Sequence, residues 1–293
     1  MLGGYMGCLL WVDLTTSTLR EESPPEDLFR ELVGGYGIGA RLLYDRLKPK
    51  VDPLGPDNVL GFITGPLTGT PAPTGTRWMI VGKSPLTGTW GDANASGFFG
   101  VALKQAGYDG VFFTGIAEKP VYLYLEGGEA DLRDAAHLWG HDCYHIEDWV
   151  KSELGAHVEA ACIGPAAEKR ALISAVIHRK GRAAGRSGLG AVMGSKRLKL
   201  VAAHPTQEVP VANPDSVRAL RRKYLEQIKS GVGGADFYRE TGTPGYTPIG
   251  VYNGDSPTAN WGASVNAFPE PEHLSFDELL KHRVKRESVG DAP

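Results

Sequence analysis

Two glycine-rich, arginine-bearing stretches constrain this chain more than any other feature, because each connects a strand-like apolar run to a helical pattern through turns that only glycine makes easily. The first reads Gly65-Pro-Leu-Thr-Gly-Thr-Pro-Ala-Pro-Thr-Gly-Thr-Arg77, then Lys83-Ser-Pro-Leu-Thr-Gly88 and Asp92-Ala-Asn-Ala-Ser-Gly-Phe-Phe-Gly100. The second reads Gly181-Arg-Ala-Ala-Gly-Arg-Ser-Gly-Leu-Gly-Ala-Val-Met-Gly194. Pro-Leu-Thr-Gly-Thr occurs twice, at Pro66 and Pro85, each time after a strand, which predicts two similar turns projecting from one sheet edge. Asn94-Ala-Ser-Gly97 precedes a helix, so its N–H groups are expected to point outward at the positive end of the helix dipole, where anions bind. Arg77 can clamp the same anion, and Arg182 with Arg186 supplies cations beside the second turn. Ser96-Gly97 and Ser187-Gly188 head comparable units. Two such cradles suit a ligand with two phosphates, or two ligands related by a pseudo-twofold axis. Taken singly, each stretch reads better as a sheet-edge loop with surface ion pairs; it is the pair that points to a ligand.

Apolar runs at 7–14, 59–64, 77–81, 110–114, 121–125, 158–163, 172–177 and 198–203 read as strands, with helices at 26–33, 40–47 and 98–106, the last stopping at Gly107. The expectation is a two-layer α+β domain. Gly35-Tyr-Gly-Ile-Gly39 follows a helix and lacks Rossmann spacing, so it reads as a helix–helix turn; Gly194-Ser-Lys196 is not a P-loop ending. A linker-like stretch follows Pro205, then a helix capped by Asp215 and running to Ile228, a long irregular loop over 231–271, and a helix over 277–284. Domains are placed at 1–207 and 208–293.

The formal charge of -3 argues against an extended nucleic-acid surface, and the basic run His178-Arg-Lys-Gly-Arg182 lacks interleaved aromatics. Cys8, Cys143 and Cys162 are odd in number and set in apolar surroundings, which speaks against a disulfide framework. No apolar run approaches the roughly 20 residues of a membrane helix, and the start resembles no signal peptide, so the expected location is cytoplasmic, without membrane or nucleic-acid partners. His137, His141, Cys143 and His145 have metal-like spacing, but a surface or capping role is favoured. Packing is favoured for the tryptophans, and for Asp92 and Asp109 the satisfaction of local backbone N–H groups.

The long ordered strings Gly-Pro-Leu-Thr-Gly-Thr, Lys-Ser-Pro-Leu-Thr-Gly and Gly-Arg-Ala-Ala-Gly-Arg, with Gly107-Tyr-Asp109 and Ala117-Glu-Lys-Pro-Val-Tyr122, resemble the tungsten-containing aldehyde:ferredoxin oxidoreductase family from residue 7 nearly to the end. The resemblance implies a pterin-binding domain of two sheet/helix halves related by a pseudo-twofold, followed by the beginning of a helical domain. It implies a tungsten or molybdenum bis-pterin cofactor whose phosphates are bound by Arg77 and Arg182. Backbone carbonyls of Asn94 and Ala183 would hold a bridging magnesium ion, and Ala95, Ser96, Gly97, Ala184, Gly185 and Arg186 would complete the cradle. The implied reaction is oxidation of an aldehyde to a carboxylic acid, with ferredoxin as electron acceptor and a 4Fe-4S cluster between. Relatives carry a Cys-x-x-Cys-x-x-x-Cys run after a basic segment like 281–287, whereas no cysteine follows Cys162 here. No catalytic acid or base is therefore assigned. The alternatives are a homologue of the class II benzoyl-CoA reductase catalytic subunit, or a pterin-binding fragment without electron transfer. A missing C-terminal half, a second subunit and a homodimer are the further partners considered.

Overall fold

The computed structural model describes residues 3–268 and 270–282. The chain divides into two compact units between Arg218 and Ala219. The first half of unit one contains β1 (Leu9–Asp13), β2 (Thr18–Glu22), α1 (Glu26–Leu32), α2 (Gly35–Arg46), β3 (Leu60–Thr64), β4 (Trp78–Lys83), β5 (Trp90–Ala95), α3 (Phe99–Gln105) and β6 (Gly110–Thr114). Its second half contains β7 (Val121–Glu126), β8 (Glu129–Asp134), α4 (Cys143–Trp149), β9 (Glu159–Cys162), α5 (Pro165–Glu168), β10 (Val176–His178), β11 (Arg182–Ala184), α6 (Leu189–Ser195) and β12 (Leu198–His204).

The halves are topological copies. One sheet has the order β2-β1-β6-β3-β4-β5, the other β8-β7-β12-β9-β10-β11. Only β1 with β6 and β7 with β12 run parallel; every other neighbouring pair is antiparallel. In both halves a helix, α3 or α6, connects the last edge strand to the parallel central strand. The expected pair of sheet/helix halves is therefore present.

The layering differs from the two-layer expectation. A core formed by Phe62, Trp78, Phe99, Phe113, Leu123, Val176, Val192 and Val201, among others, joins strands of both sheets to α3 and α6. The outer face of the first sheet is covered by α1 and α2 through Phe29, Ile38 and Leu42, and that of the second by α4 through Ile146. Both faces of the central strands are thus buried, so β3 and β4 read as continuous apolar runs instead of alternating ones. The inner core is tight: Trp78 and Phe99 meet edge to face with centroids 4.9 Å apart, and a Cβ on Gly100 would lie 2.7 Å from the Trp78 Cβ.

Four strands, β2, β5, β8 and β11, have no counterpart in the apolar runs of the sequence, and all four are sheet edges. Edge strands face solvent on one side and need no apolar run. Residues 172–175 precede β10 instead of beginning a strand. The Gly35–Gly39 segment is the first turn of α2 and not a helix–helix turn: Gly34 and Gly35 carry φ of 156° and 47°, and a Cβ on Gly35 would touch Met79 at 2.9 Å. Because β3 and β4 are antiparallel, the two Pro-Leu-Thr-Gly-Thr turns leave opposite ends of the sheet, not one edge.

Helix α7 (Pro214–Lys229) is capped by Asn213, whose Oδ1 accepts the Ser216 N–H at 3.0 Å, while Asp215 pairs with Arg218. The expected loop over 231–271 is largely helical instead. Helix α8 (Ala235–Tyr252) contains Pro244 and Pro248 and breaks at Gly242, φ 61°, so the prolines mark the turn after a kink and not a loop. Helix α9 (Phe276–Lys281) follows; the rest of the helix expected to 284 and the basic run to Glu287 lie outside the described residues.

A Cβ on Gly194 of α6 would lie 2.0 Å from the Ala167 carbonyl oxygen of α5, a backbone contact that no rotamer relieves. Gly194→Ala is expected to destabilise the first unit by about 1–3 kcal/mol. Urea unfolding measures this, and an unchanged midpoint would show that α5 recedes freely.

Candidate functional site

The edge strands β5 and β11 face each other without forming a ladder, since they belong to different sheets. The seam between them is closed by their Ser-Gly turns. Ser187 Oγ accepts the Asp92 N–H at 3.2 Å and donates to the Asp92 carbonyl at 3.1 Å. Reciprocally, Arg182 Nη1 donates to Ser96 Oγ at 3.1 Å. Each half thus grips the other's turn, as a pseudo-twofold passing through the seam requires.

The contacts of Asp92 fix the direction of other groups. In an antiparallel ladder, residues two apart present N–H and C=O to the same side. Since Asp92 turns both toward the seam, Asn94 of the same strand does so as well. Aligning the two halves on Ser96-Gly97 and Ser187-Gly188 places Ala183 where Asp92 stands, and its pairing with Ile177 matches that of Asp92 with Val81.

Cations gather at this place. Arg77 precedes β4 and donates to Asn94 Oδ1 at 2.6 Å, with Asn94 Nδ2 on the Met79 sulfur. Arg77 and Arg186 are exposed, and among the described residues Arg186 makes no hydrogen bond or ion pair. Ala183 and Gly185 are exposed, whereas Ala95, Gly97 and Ala184 are buried and shape the turn from beneath. Gly97 sits at φ +100°, and a Cβ there would approach His178 Cδ2 at 2.6 Å and Arg182 Cδ at 2.7 Å, so glycine is needed for both reasons.

The helix-terminus expectation needs correction. Helix α3 is only 7 residues long, and its leading amides are occupied: Phe98 N–H and Phe99 N–H donate to His178 Nε2 at 3.0 and 3.2 Å. Those amides are therefore already taken, and Arg77 and Arg186 are the exposed donors here. His178 itself was legible only as part of a basic run.

His178 is wholly buried, and Nδ1 lies 2.8 Å from the Ala160 carbonyl. That oxygen can only accept and the two amides can only donate, so the ring is the neutral Nδ1–H tautomer. Nε2, without a proton, makes no ion pair with Glu159 although Oε2 is 3.5 Å away. Burial lowers the His178 pKa to about 4. Burial raises that of the neighbouring Glu147 to about 7, while Glu159 is held below its ordinary value: burial pushes it up, but hydrogen bonds from Arg179 together with nearby charges such as Lys151 outweigh this.

Tyr36, at the start of α2, is a second residue that the sequence reading missed. It stands near Asp92, Asn94 and Arg186, and its hydroxyl pKa is raised by burial and by the Asp92 carboxylate. The glycines around it, which bring α2 against the end of β4, were the available signal.

Other candidates dissolve. Among the described residues no group of three or more His, Cys, Asp or Glu side chains could hold a metal. His141 and His145 stack on each other at 4.0 Å, and His137 packs on Trp149. Asp109 accepts the Gly7 N–H and pairs with buried Lys104, so it ties distant segments and does not serve a local turn. A groove of about 1070 Å³ runs along α2 past Tyr44, Leu47 and Trp90, away from the converging arginines. All three cysteines are free thiols, and no described helix is long and apolar enough to cross a membrane.

The two buried ionisable groups oppose each other. The fold favours neutral His178, so its contribution to stability is lost as pH falls from about 6.5 toward 4. The fold also favours protonated Glu147, whose contribution is lost as pH rises from about 4.5 through 7. Glu147→Gln keeps an acceptor for the Arg179 N–H but removes the second titration, so stability is expected to fall more steeply on acidification below pH 6.5 than in the unaltered protein. Urea midpoints across this range test it; parallel profiles would sink the assignment.

The family model described as the aldehyde ferredoxin oxidoreductase N-terminal domain matches residues 9–205. The tungsten-containing aldehyde ferredoxin oxidoreductase of Pyrococcus abyssi is 41% identical across 89% of this chain and 43% of its own length. The aliphatic sulfonate oxidoreductase WOR-like subunit of Pyrococcus furiosus is 36% identical across 93% of this chain and 46% of its own. Among solved structures, the active-site complex BamBC of benzoyl coenzyme A reductase, in complex with 1,5-dienoyl-CoA, superposes with a TM-score of 0.76 at 35% identity, over 78% of this chain and 35% of that one. The chain spans less than half the length of these curated relatives. With its two-halved fold and its match over 9–205, it belongs to the aldehyde ferredoxin oxidoreductase family of oxidoreductases, as that family's N-terminal domain.

Proposed function

We propose that the seam between β5 and β11 holds the phosphates of a bis-pterin tungsten or molybdenum cofactor, and that the full protein uses it to oxidise an aldehyde to a carboxylic acid with ferredoxin as electron acceptor. The observation that carries this is the convergence of Arg77 and Arg182 on a seam into which the backbone carbonyl of Asn94 also points, with Arg186 exposed beside it. Cations beside carbonyls suit phosphate oxygens bridged by a hard, oxygen-seeking cation such as magnesium.

In this reading Arg77 and Arg182 neutralise the phosphates, Arg186 adds charge from the exposed rim, and Asn94 and Ala183 lend carbonyl oxygens to the ion. Ala95, Ser96, Gly97, Ala184 and Gly185 let the backbone approach. Such a cofactor, when bound, supplies oxygen-atom and electron transfer, while the protein supplies position and charge. The rigid seam fixes the spacing of the two turns before any ligand arrives. A 4Fe-4S cluster would require thiolates from outside this chain, since its last cysteine is Cys162.

The structural likeness to BamBC favours one second reading, a catalytic subunit that reduces aromatic thioesters with the same kind of cofactor. Substrate assays with purified full-length protein separate the two: ferredoxin-type acceptor reduction by aldehydes supports the first, and activity only with an aromatic acyl-CoA supports the second.

The cofactor reading predicts tungsten or molybdenum together with pterin in protein isolated anaerobically from cells supplied with both metals. An Arg77→Ala, Arg182→Ala double variant is expected to retain less than about a tenth of that pterin, because two charge-assisted contacts are removed at roughly 1.5–3 kcal/mol each. Metal and pterin analysis checks both statements. Protein devoid of pterin under these conditions would falsify the reading.

A further inference from the structure

The two cradles are built on one plan but are not held alike. Aligning the halves on their Ser-Gly turns makes Arg182 the counterpart of Gly91, and the ladder partners of these residues, His178 and Gly82, then also correspond. In the second half the imidazole of His178 bridges two elements, with Nδ1–H on the Ala160 carbonyl and Nε2 accepting from Phe98 and Phe99. In the first half the same place is empty of any side chain. A Cβ on Gly82 would lie 2.9 Å from the Val59 carbonyl, which corresponds to that of Ala160, and 3.3 Å from Leu189 Cδ2, where Leu189 corresponds to Phe98. One turn is thus fastened from the opposite half by an imidazole on its amides, and the other by hydroxyls, with Ser84 Oγ donating to the Ser187 carbonyl at 2.9 Å and Ser187 Oγ bonded to Asp92.

The geometry points to His178 as a positioning residue: it fastens the Ser96–Phe98 turn so that the first cradle is preset, a task that hydroxyls of Ser84 and Ser187 perform at the second. This rests on the cofactor reading only for the ligand; the clasp on the Ser96–Phe98 turn belongs to the protein itself. No position in the ring is spare. Both nitrogens are used, and the Cδ2 edge lies so close to Gly97 that the imidazole also sets how near Arg182 comes to Ser96.

The test uses the full chain, with amide hydrogen exchange resolved at Phe98, Phe99 and Leu189. His178→Met, of similar bulk but without the acceptor, is expected to speed exchange at Phe98 and Phe99 by at least about tenfold and leave Leu189 unchanged; one lost hydrogen bond corresponds to roughly that factor. His178→Gln, which can both donate and accept, should restore slow exchange. Equal loosening of both turns in His178→Met, or a folded His178→Gln that behaves like His178→Met, would overturn the proposal. Nitrogen-15 spectra of the unaltered protein give a measurement independent of variant folding: Nε2 must be the unprotonated ring nitrogen, and the opposite tautomer overturns the clasp. Inorganic pyrophosphate serves as the ligand probe. Its affinity should fall several-fold in His178→Met, because the Ser96 turn is no longer preset, and an unchanged affinity contradicts the positioning role. Failure of pyrophosphate to bind at all counts against the cofactor reading alone, leaving exchange and tautomer to decide the clasp.

Discussion

The seam between β5 and β11 rests on a constraint common to all sheets: an edge strand carries unpaired N–H and C=O groups that must be satisfied, covered or put to use. Here two edges are brought face to face and kept from pairing. Helices α3 and α6 lie between the sheets and set their separation, while the Ser187 hydroxyl takes both free groups of Asp92 and the Arg182 guanidinium takes Ser96. Satisfying one residue with a side chain leaves the next outward-facing residue of the same strand, Asn94, free to offer its carbonyl. The edge that most proteins must hide is here left partly open beside a group of arginines.

Burial sets the electrostatics of that surface. The exposed arginines lie above it, and below it a neutral imidazole stands among Glu147, Glu159 and Arg179. A protonated His178 there would put a further cation beside the arginines but would lose its acceptor, so the turn beneath them would come undone. Keeping the ring neutral gives a firm support without charge, and the raised Glu147 carboxyl avoids placing a second anion beside Glu159, which Arg179 and Lys151 already compensate. The cost of burying these polar groups is met by hydrogen bonds and not by ion pairing with the histidine.

The parts of this design that show in a linear sequence are those with a strong local signal. Apolar runs marked β3, β4, β6 and β12 because these strands are buried on both faces, and the paired Ser-Gly turns with Arg77 and Arg182 marked the seam. The edge strands β2 and β8 left no comparable mark, since Thr18-Leu-Arg-Glu-Glu22 and Glu129-Ala-Asp-Leu-Arg-Asp134 are largely polar. Gly35–Gly39 looked like a turn because its glycines answer a tertiary demand, the close approach of α2 to Met79, which a local reading assigns to backbone freedom. Prolines 244 and 248 suggested a loop because a helix restarted after a kink at Gly242 has no sequence signature of its own. His178 was hidden for a related reason. Its partners lie 18 and 80 residues away, and nothing in its neighbours distinguishes a buried clasp from one more member of a basic run.

The two halves share strand order, helix placement and the Ser-Gly turn, yet they support each other's turn with different groups. Gly82 and His178 occupy equivalent ladder positions, and neither can be exchanged for the other: a side chain at 82 would collide with the Val59 carbonyl and Leu189, and a glycine at 178 would leave the Phe98 and Phe99 amides buried without an acceptor. Unsatisfied buried donors cost about 1–3 kcal/mol each, so the difference is fixed by the packing around it. The symmetric frame is thus held by an imidazole at one turn and by serine hydroxyls at the other, so neither half could be replaced by a copy of its partner without leaving backbone groups unpaired.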